Sequence, residues 1–287
     1  MRKNILAGIL ALTLLLSGCG GKGNGAASGS NGSSGSTSGA EPAGIPTAEE
    51  IQAVRETLEG AVEMLRSTGT IPGFEEVLNL PLGEASYRYD IADVDGDGYE
   101  ELYLVQDGGY MAAMVALILD GQGGKLRAEL SEFPTLTAYN NGCIRADASH
   151  NQGLAGDFWP YALYRYDAES DSYQRIARVD AWDGRLHPQD YAGNPFPKDA
   201  DVSGAGIVYY VAEDGELYGE DGAFAVAPMD QADFEKWEAS WQGNASVVQY
   251  PLENAIVADD MLFVYTKQQL TISRIVEILT TGQSFGS

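Results

Sequence analysis

The chain has 287 residues, 44 % hydrophobic and 10 % aromatic, with a formal net charge of −25. That is enough apolar material for one large domain or two small ones, and it excludes a wholly disordered polypeptide. A strongly acidic chain repels phosphate backbones and anionic headgroups, which excludes nucleic-acid binding and requires any membrane attachment to be covalent or hydrophobic.

Residues 1–18 read as a signal peptide. Met1 to Asn4 is a short basic stretch, and Ile5 to Leu16 is an apolar run of signal length, short for a bilayer span. Leu16-Ser17-Gly18-Cys19 follows, with small residues at the two positions before the cysteine. This resembles the lipobox of bacterial lipoproteins. The resemblance implies a diacylglyceryl thioether on the Cys19 sulfur, cleavage before that residue, and palmitate-type acyl chains holding the protein on the extracytoplasmic face of the cell membrane. One acyl chain anchors marginally, whereas two or more anchor stably. Losing Arg2 and Lys3 with the signal takes the mature chain to about −27.

Residues 19–46 are the lipidated cysteine and a Gly/Ser-rich linker. Gly20 to Pro46 has almost no large apolar side chain and cannot offset its ordering entropy by burial. A flexible segment of this size reaches roughly 30 Å.

Residues 47–287 form the expected globular domain. Thr47-Ala48-Glu49-Glu50 fits a capping box, and Ile51, Val54, Leu58, Val62 and Leu65 follow helical spacing, so a helix is expected from Thr47 to Ser67. The period then changes to two. Tyr87, Tyr89 and Ile91 alternate with polar residues, and Leu102–Val105 and Met114–Leu119 are apolar runs of strand length. Asn141-Gly142 between Leu136–Tyr139 and Cys143–Ala146 signals a hairpin. Tyr161–Tyr166 and Tyr173–Val179 flank a polar turn, and Ile207–Ala212 and Glu216–Tyr218 flank Asp214-Gly215 as a further hairpin. Late in the chain, Asp230 is expected to cap a short helix carrying Phe234, Trp237 and Trp241, and Ile272, Ile275, Val276 and Leu279 suggest a terminal helix. The fold class expected is α+β: an N-terminal helix, a β-rich antiparallel centre and short C-terminal helices. No 20–50-residue repeat is evident, which argues against a propeller or solenoid.

The stretch with the clearest chemistry begins at Asp93. Carboxylates stand at loop positions one, three, five and nine (Asp93, Asp95, Asp97, Glu101), with Gly98 at six allowing a sharp turn and the Tyr99 carbonyl at seven. Alternating acids in a tight loop direct oxygens at one centre, and calcium takes six to eight oxygens. Position twelve, where an EF-hand has a bidentate Glu, is Leu104 inside a strand-like run.

Tyr89 to Leu102 resembles the aspartate loop of integrin-type (FG-GAP) calcium repeats. It also resembles single loops of that kind in uncharacterised lipoproteins of anaerobic Gram-positive bacteria, where a lipobox and a low-complexity linker precede it. The resemblance implies calcium as a structural cofactor and an extracytoplasmic location, and it implies no reaction. Here the ninth position is Glu101 rather than Asp, and the loop occurs once.

The other constellations are weaker. His150 and His187 lie near no nucleophile motif, and with Cys19 lipidated Cys143 has no disulfide partner, so it is expected as a small buried apolar residue. Asp180, Asp183, Asp199 and Asp201 offer carboxylates for glycoside chemistry. Trp159, Tyr161, Tyr164, Tyr166, Tyr173 and Trp182 read as core and cross-strand partners, or alternatively as a stacking face. The function expected is a membrane-anchored, calcium-stabilised binding module for an extracellular glycan or protein ligand. The alternative is an anchored hydrolase, acting on glycan or peptide through acidic residues.

Overall fold

The computed structural model describes residues 46–256, apart from 81–84, 109–110, 152 and 214. These residues lie within one unit, Ile45–Ser287. In chain order they form α1 (Ala48–Thr68), β1 (Ser86–Ala92), β2 (Glu101–Asp107), β3 (Val115–Asp120), β4 (Arg127–Glu132), β5 (Leu136–Tyr139), β6 (Cys143–Asp147), β7 (Tyr161–Asp167), β8 (Ser172–Asp183), β9 (Ile207–Ala212), β10 (Pro228–Met229), α2 (Gln231–Gln242), β11 (Val247–Val248) and β12 (Asn254–Ile256). The class is α+β with a β-rich centre, as expected.

α1 starts where its local chemistry dictates. The Glu50 N–H donates to Thr47 Oγ1 at 3.2 Å and the Thr47 N–H donates to Glu50 Oε2 at 2.8 Å, the reciprocal bonds of a capping box. Gly69 ends the helix with a left-handed backbone, φ 80°, which costs a residue without Cβ nothing.

All strand pairs are antiparallel and fall into two sheets. The first runs β12-β1-β2-β3-β4 and the second β10-β9-β8-β7-β6-β5-β11. Alternation along the strands sets the layering. Leu102, Leu104, Leu117 and Leu119 pack with Val54, Leu58, Val62 and Leu65 of α1. On the opposite face, Tyr103, Val105, Ala116 and Ile118 pack with Ala138, Ile144, Ala146, Tyr164 and Tyr173 of the second sheet. The far side of that sheet buries Cys143, Tyr161, Leu163, Ala177 and Val179 against Phe234 and Trp241 of α2. The order is therefore helix, sheet, sheet, helix. It explains the continuous apolar runs in β2 and β3, which are covered on both faces. The close approach of α1 needs a glycine: a Cβ on Gly121, just after β3, would lie 3.1 Å from Leu58 Cδ2 and 3.2 Å from the Val54 carbonyl oxygen.

The Asn141-Gly142 hairpin forms as expected, with Gly142 at φ 75°, and Asn141 Nδ2 donates to the Trp241 carbonyl at 2.7 Å, tying the turn to α2. Cys143 is buried and unpaired with another sulfur. Two expectations need correction, and one strand was not anticipated. Glu216–Tyr218 is not the strand that partners β9. Tyr218 instead bridges Phe224, and β9 pairs with β10, because the chain after Tyr218 turns back on itself before rejoining the sheet. Asp230 stands at the N-cap of α2, but its side chain makes no cap bond: Oδ1 accepts the Ser203 N–H at 3.0 Å. β4 answers to no expected strand, since its sequence mixes charged residues into the alternation. The terminal helix expected around Ile272–Leu279 lies outside the described residues.

Of the aromatic cluster, Tyr161, Tyr164, Tyr173 and Trp182 are buried and Tyr166 is partly so, whereas Trp159 is 43 % exposed. Cross-strand packing accounts for most of the cluster.

Candidate metal centre

The loop between β1 and β2 folds around its own carboxylates. The Gly96 N–H donates to Asp93 Oδ1 at 2.7 Å, the Asp97 N–H to Asp95 Oδ1 at 2.9 Å, and the Tyr99 N–H to Asp97 Oδ1 at 2.7 Å. Glu101, the first residue of β2, reaches back and accepts the Val94 N–H at 2.7 Å through Oε2. Gly96 and Gly98 both have left-handed backbones, φ 86° and 94°. At Gly98 space is also short, since a Cβ there would lie 3.1 Å from Pro46 Cγ. An ion pair from Arg55 of α1 to Glu100 clamps the loop from the helix side.

The structure brings some of the expected ligands together and separates others. Carboxylate oxygens of Asp93, Asp95 and Glu101 lie within 4.8 Å of one another. Asp97 falls outside this group: its Oδ2 accepts Gln122 Nε2 at 3.3 Å, and its Oδ1 is taken by the Tyr99 N–H. The Tyr99 ring is partly buried against the α1 core.

A second group shares Asp95. Its oxygens lie within 4.8 Å of those of Glu129 and Asp171. Glu129 is on β4 and Asp171 is at the β7–β8 turn, so the first sheet, the second sheet and the aspartate loop converge here. Glu129 owes its position to a bulge. Ile118 pairs with Leu130 and Leu119 with Ala128, which leaves Glu129 as the extra residue without a partner. A bulge re-aims a side chain, so Glu129 and Leu130 are both buried although adjacent. Asp171 adopts a left-handed backbone, φ 49°, and its Oδ1 accepts the Tyr166 hydroxyl at 2.6 Å. Neither residue was among the expected ligands. Asp171 was expected as part of a polar turn, and no signal local to Glu129 marks it, because the bulge that aims it exists only once β3 and β4 pair.

The electrostatics follow from this convergence. Burial raises the Asp95 carboxyl to about 7, helped by the charges of Asp97 and Asp93, and raises Glu101 to about 10, with Asp95 adding to the effect. Burial raises Glu129 to about 9, with Asp95 and Asp171 adding. Arg127 is the neighbouring cation. It pairs with Asp171, with Asp120 Oδ2 at 3.2 Å and with Glu129 Oε1 at 3.4 Å. Asp95 Oδ2 and Glu129 Oε2 are buried and accept no hydrogen bond. Buried polar atoms are ordinarily satisfied. Clustered carboxylates with unserved oxygens are the donor set of a hard cation, and these groups can hold a metal ion.

Of the four acids read as candidates for glycoside chemistry, Asp199 is exposed and the other three are engaged elsewhere. Asp180 is buried, and its pKa is raised by that burial. Its Oδ1 accepts the Ala181 N–H at 2.7 Å, and its Oδ2 accepts the Tyr218 hydroxyl. Removing that hydroxyl in Tyr218→Phe leaves a buried carboxylate oxygen without a donor, a change that costs about 1–3 kcal/mol. Urea unfolding at pH 7.5 checks the loss, which should shrink as acid protonates Asp180. Asp183 is paired with Arg185 at 2.6 Å, and Asp201 Oδ2 accepts the Gly206 N–H at 2.9 Å. His150 Nδ1 lies 2.6 Å from Ser149 Oγ in an exposed loop, and the His187 carbonyl accepts Trp182 Nε1 at 2.6 Å.

The fold and site define an α+β protein with a carboxylate-rich candidate metal centre between two antiparallel sheets. No protein-family model, curated protein or solved structure matches this chain. Among the described residues, no helix is long and apolar enough to cross a membrane.

Proposed function

We propose that this protein is an extracytoplasmic lipoprotein, anchored through acyl chains on Cys19, whose globular domain is a calcium-stabilised module that binds an extracellular glycan or protein ligand. The observation that carries the calcium reading is the Asp95 carboxylate, whose Oδ2 is buried and unserved beside Asp93 and Glu101. A cation there takes up the repulsion among these acids, and calcium is the hard divalent ion suited to a loop supplying oxygens alone. The carbonyl of Tyr99 and the carboxylate of Asp97 stand in the same loop, and small shifts in its turns bring further oxygens to the ion.

The metal's role in this reading is structural. The loop spans β1 to β2, its Glu101 opens the central strand of the first sheet, and the Tyr173 hydroxyl of the second sheet donates to the Val94 carbonyl at 3.4 Å. An ion at this point holds the sheets in register with the loop. Of the four acids the hydrolase alternative would use, Asp180, Asp183 and Asp201 are engaged in structural bonds and Asp199 is exposed, so the binding-module reading is favoured.

The test is a pair of measurements on protein purified from its native membrane. The melting midpoint should rise between chelator and 10 mM calcium, and the mature amino terminus should be Cys19 carrying lipid mass. An unchanged midpoint defeats the calcium reading, and an amino terminus without lipid defeats the anchor.

A further inference from the structure

Glu129 has no place in the aspartate loop, yet it is one of the most buried carboxylates, 5 % exposed. Its two oxygens differ. Oε1 faces Arg127 at 3.4 Å, and Oε2 is buried without a partner. It lies with Asp95 and Asp171 in a group whose oxygens are within 4.8 Å of one another. Arg127 does not serve that oxygen, because its guanidinium is divided among Asp120, Glu129 Oε1 and Asp171. The bulge in β4 aims the carboxylate inward at this spot.

Charge points the same way. Asp93, Asp95, Glu101, Glu129 and Asp171 together carry five carboxylates, and Arg127 is the cation paired within the group. A single divalent ion at the Asp93–Glu101 end offers nothing to Glu129 Oε2, and a buried polar atom left without a partner is costly.

We propose that Asp95, Glu129 and Asp171 form a second cation seat, distinct from the one at Asp93 and Glu101, in which a calcium ion joins the two sheets with Asp95 bridging the pair of ions. The seat draws one carboxylate from β4 of the first sheet, one from the β7–β8 turn of the second and one from the loop. It uses a different pair of residues from the loop reading and shares Asp95 with it. Carboxylates drawn from three separate segments suit calcium, which accepts six to eight oxygens in flexible geometry, better than magnesium, which demands near-ideal octahedral geometry.

The test is calcium stoichiometry on the full mature chain in detergent, by native mass spectrometry and calorimetric titration with calcium chloride. The wild type should bind two ions. Glu129→Gln should bind one, the missing step weakened at least tenfold. Asp171→Asn, altered at a turn rather than in the core, should lose the same step, which guards against a folding defect in the first variant. Asp93→Asn should lose the other step and keep this one. A wild type that binds one ion with Glu129→Gln unaffected overturns the second seat and leaves the loop reading standing. One ion lost alike in Glu129→Gln and Asp93→Asn means a single shared site and also overturns it. A wild type that binds no calcium overturns both.

Discussion

Asp95→Asn should reverse the order of stability between calcium and chelator. In 10 mM calcium the wild type should melt above the variant; in chelator at pH 8 the variant should melt above the wild type. Both halves follow from the position of Asp95. An ion held about a hundredfold above its dissociation constant stabilises the fold by about 2.7 kcal/mol, and extracellular calcium modules bind at about 10⁻⁴–10⁻³ M. For a domain of this size that is a shift of roughly 5–10 °C. Without the ion, Asp95 is a partly buried carboxyl raised to about 7 beside other acids, so replacing it with a neutral amide relieves repulsion.

The pH dependence has a definite sign. A carboxyl whose folded-state pKa lies above its unfolded value binds its proton more tightly when folded. Its contribution to stability is full below the unfolded value and is lost as pH rises through the folded one. In chelator, wild-type stability should therefore fall from about pH 4 to about pH 7 through Asp95, Glu101 and Glu129 together, and further towards pH 9–10 through the two glutamates. Saturating calcium should flatten this decline, and Asp95→Asn should make it shallower below pH 7. Thermal melts at four pH values in both media measure it. A variant that behaves like wild type in both media would sink the idea that Asp95 is the shared ligand.

Cys19→Ser should abolish incorporation of labelled palmitate. The thioether needs the sulfur, and a hydroxyl in its place leaves no site for the diacylglyceryl group. Anchoring strength follows chain number, since each buried methylene contributes about 0.8 kcal/mol and two or more chains convert marginal binding to stable attachment. The effect is expected to be complete, because Cys143, the other cysteine, is buried in the core behind α2. Label retained by the variant would refute lipidation at Cys19. A chain of net charge −25 gains nothing from anionic headgroups, so Cys19→Ser should also release the protein from the membrane fraction.

What was legible in the sequence was legible because it is local. The helical spacing of Val54, Leu58, Val62 and Leu65, the Thr47–Glu50 cap, the Asn141-Gly142 turn and the alternation in β1 each concern residues a few positions apart, and each appears in the fold. The aspartate loop is local too. Its oxygens turn inward through Asx-type bonds from neighbouring N–H groups, and Asp93, Asp95 and Glu101 come together as their spacing implies. The same local bonds explain why Asp97 is drawn aside, since Gln122 from the turn after β3 takes its second oxygen.

By itself the sequence determined the α+β class, both described helices, most of the longer strands and the end of the candidate metal centre that lies within one loop, because short-range sterics and hydrogen bonding fix those features. Tertiary structure decided the rest. β4 forms because β3 offers it an edge, not because its own mixed polar pattern favours a strand. The bulge that turns Glu129 inward exists only in that pairing, and Asp171 reaches Asp95 only because Tyr103, Val105 and Ile118 bury their side chains against Ile144, Tyr164 and Tyr173. The physical reason is that apolar burial between the sheets sets which distant acids must share one small space.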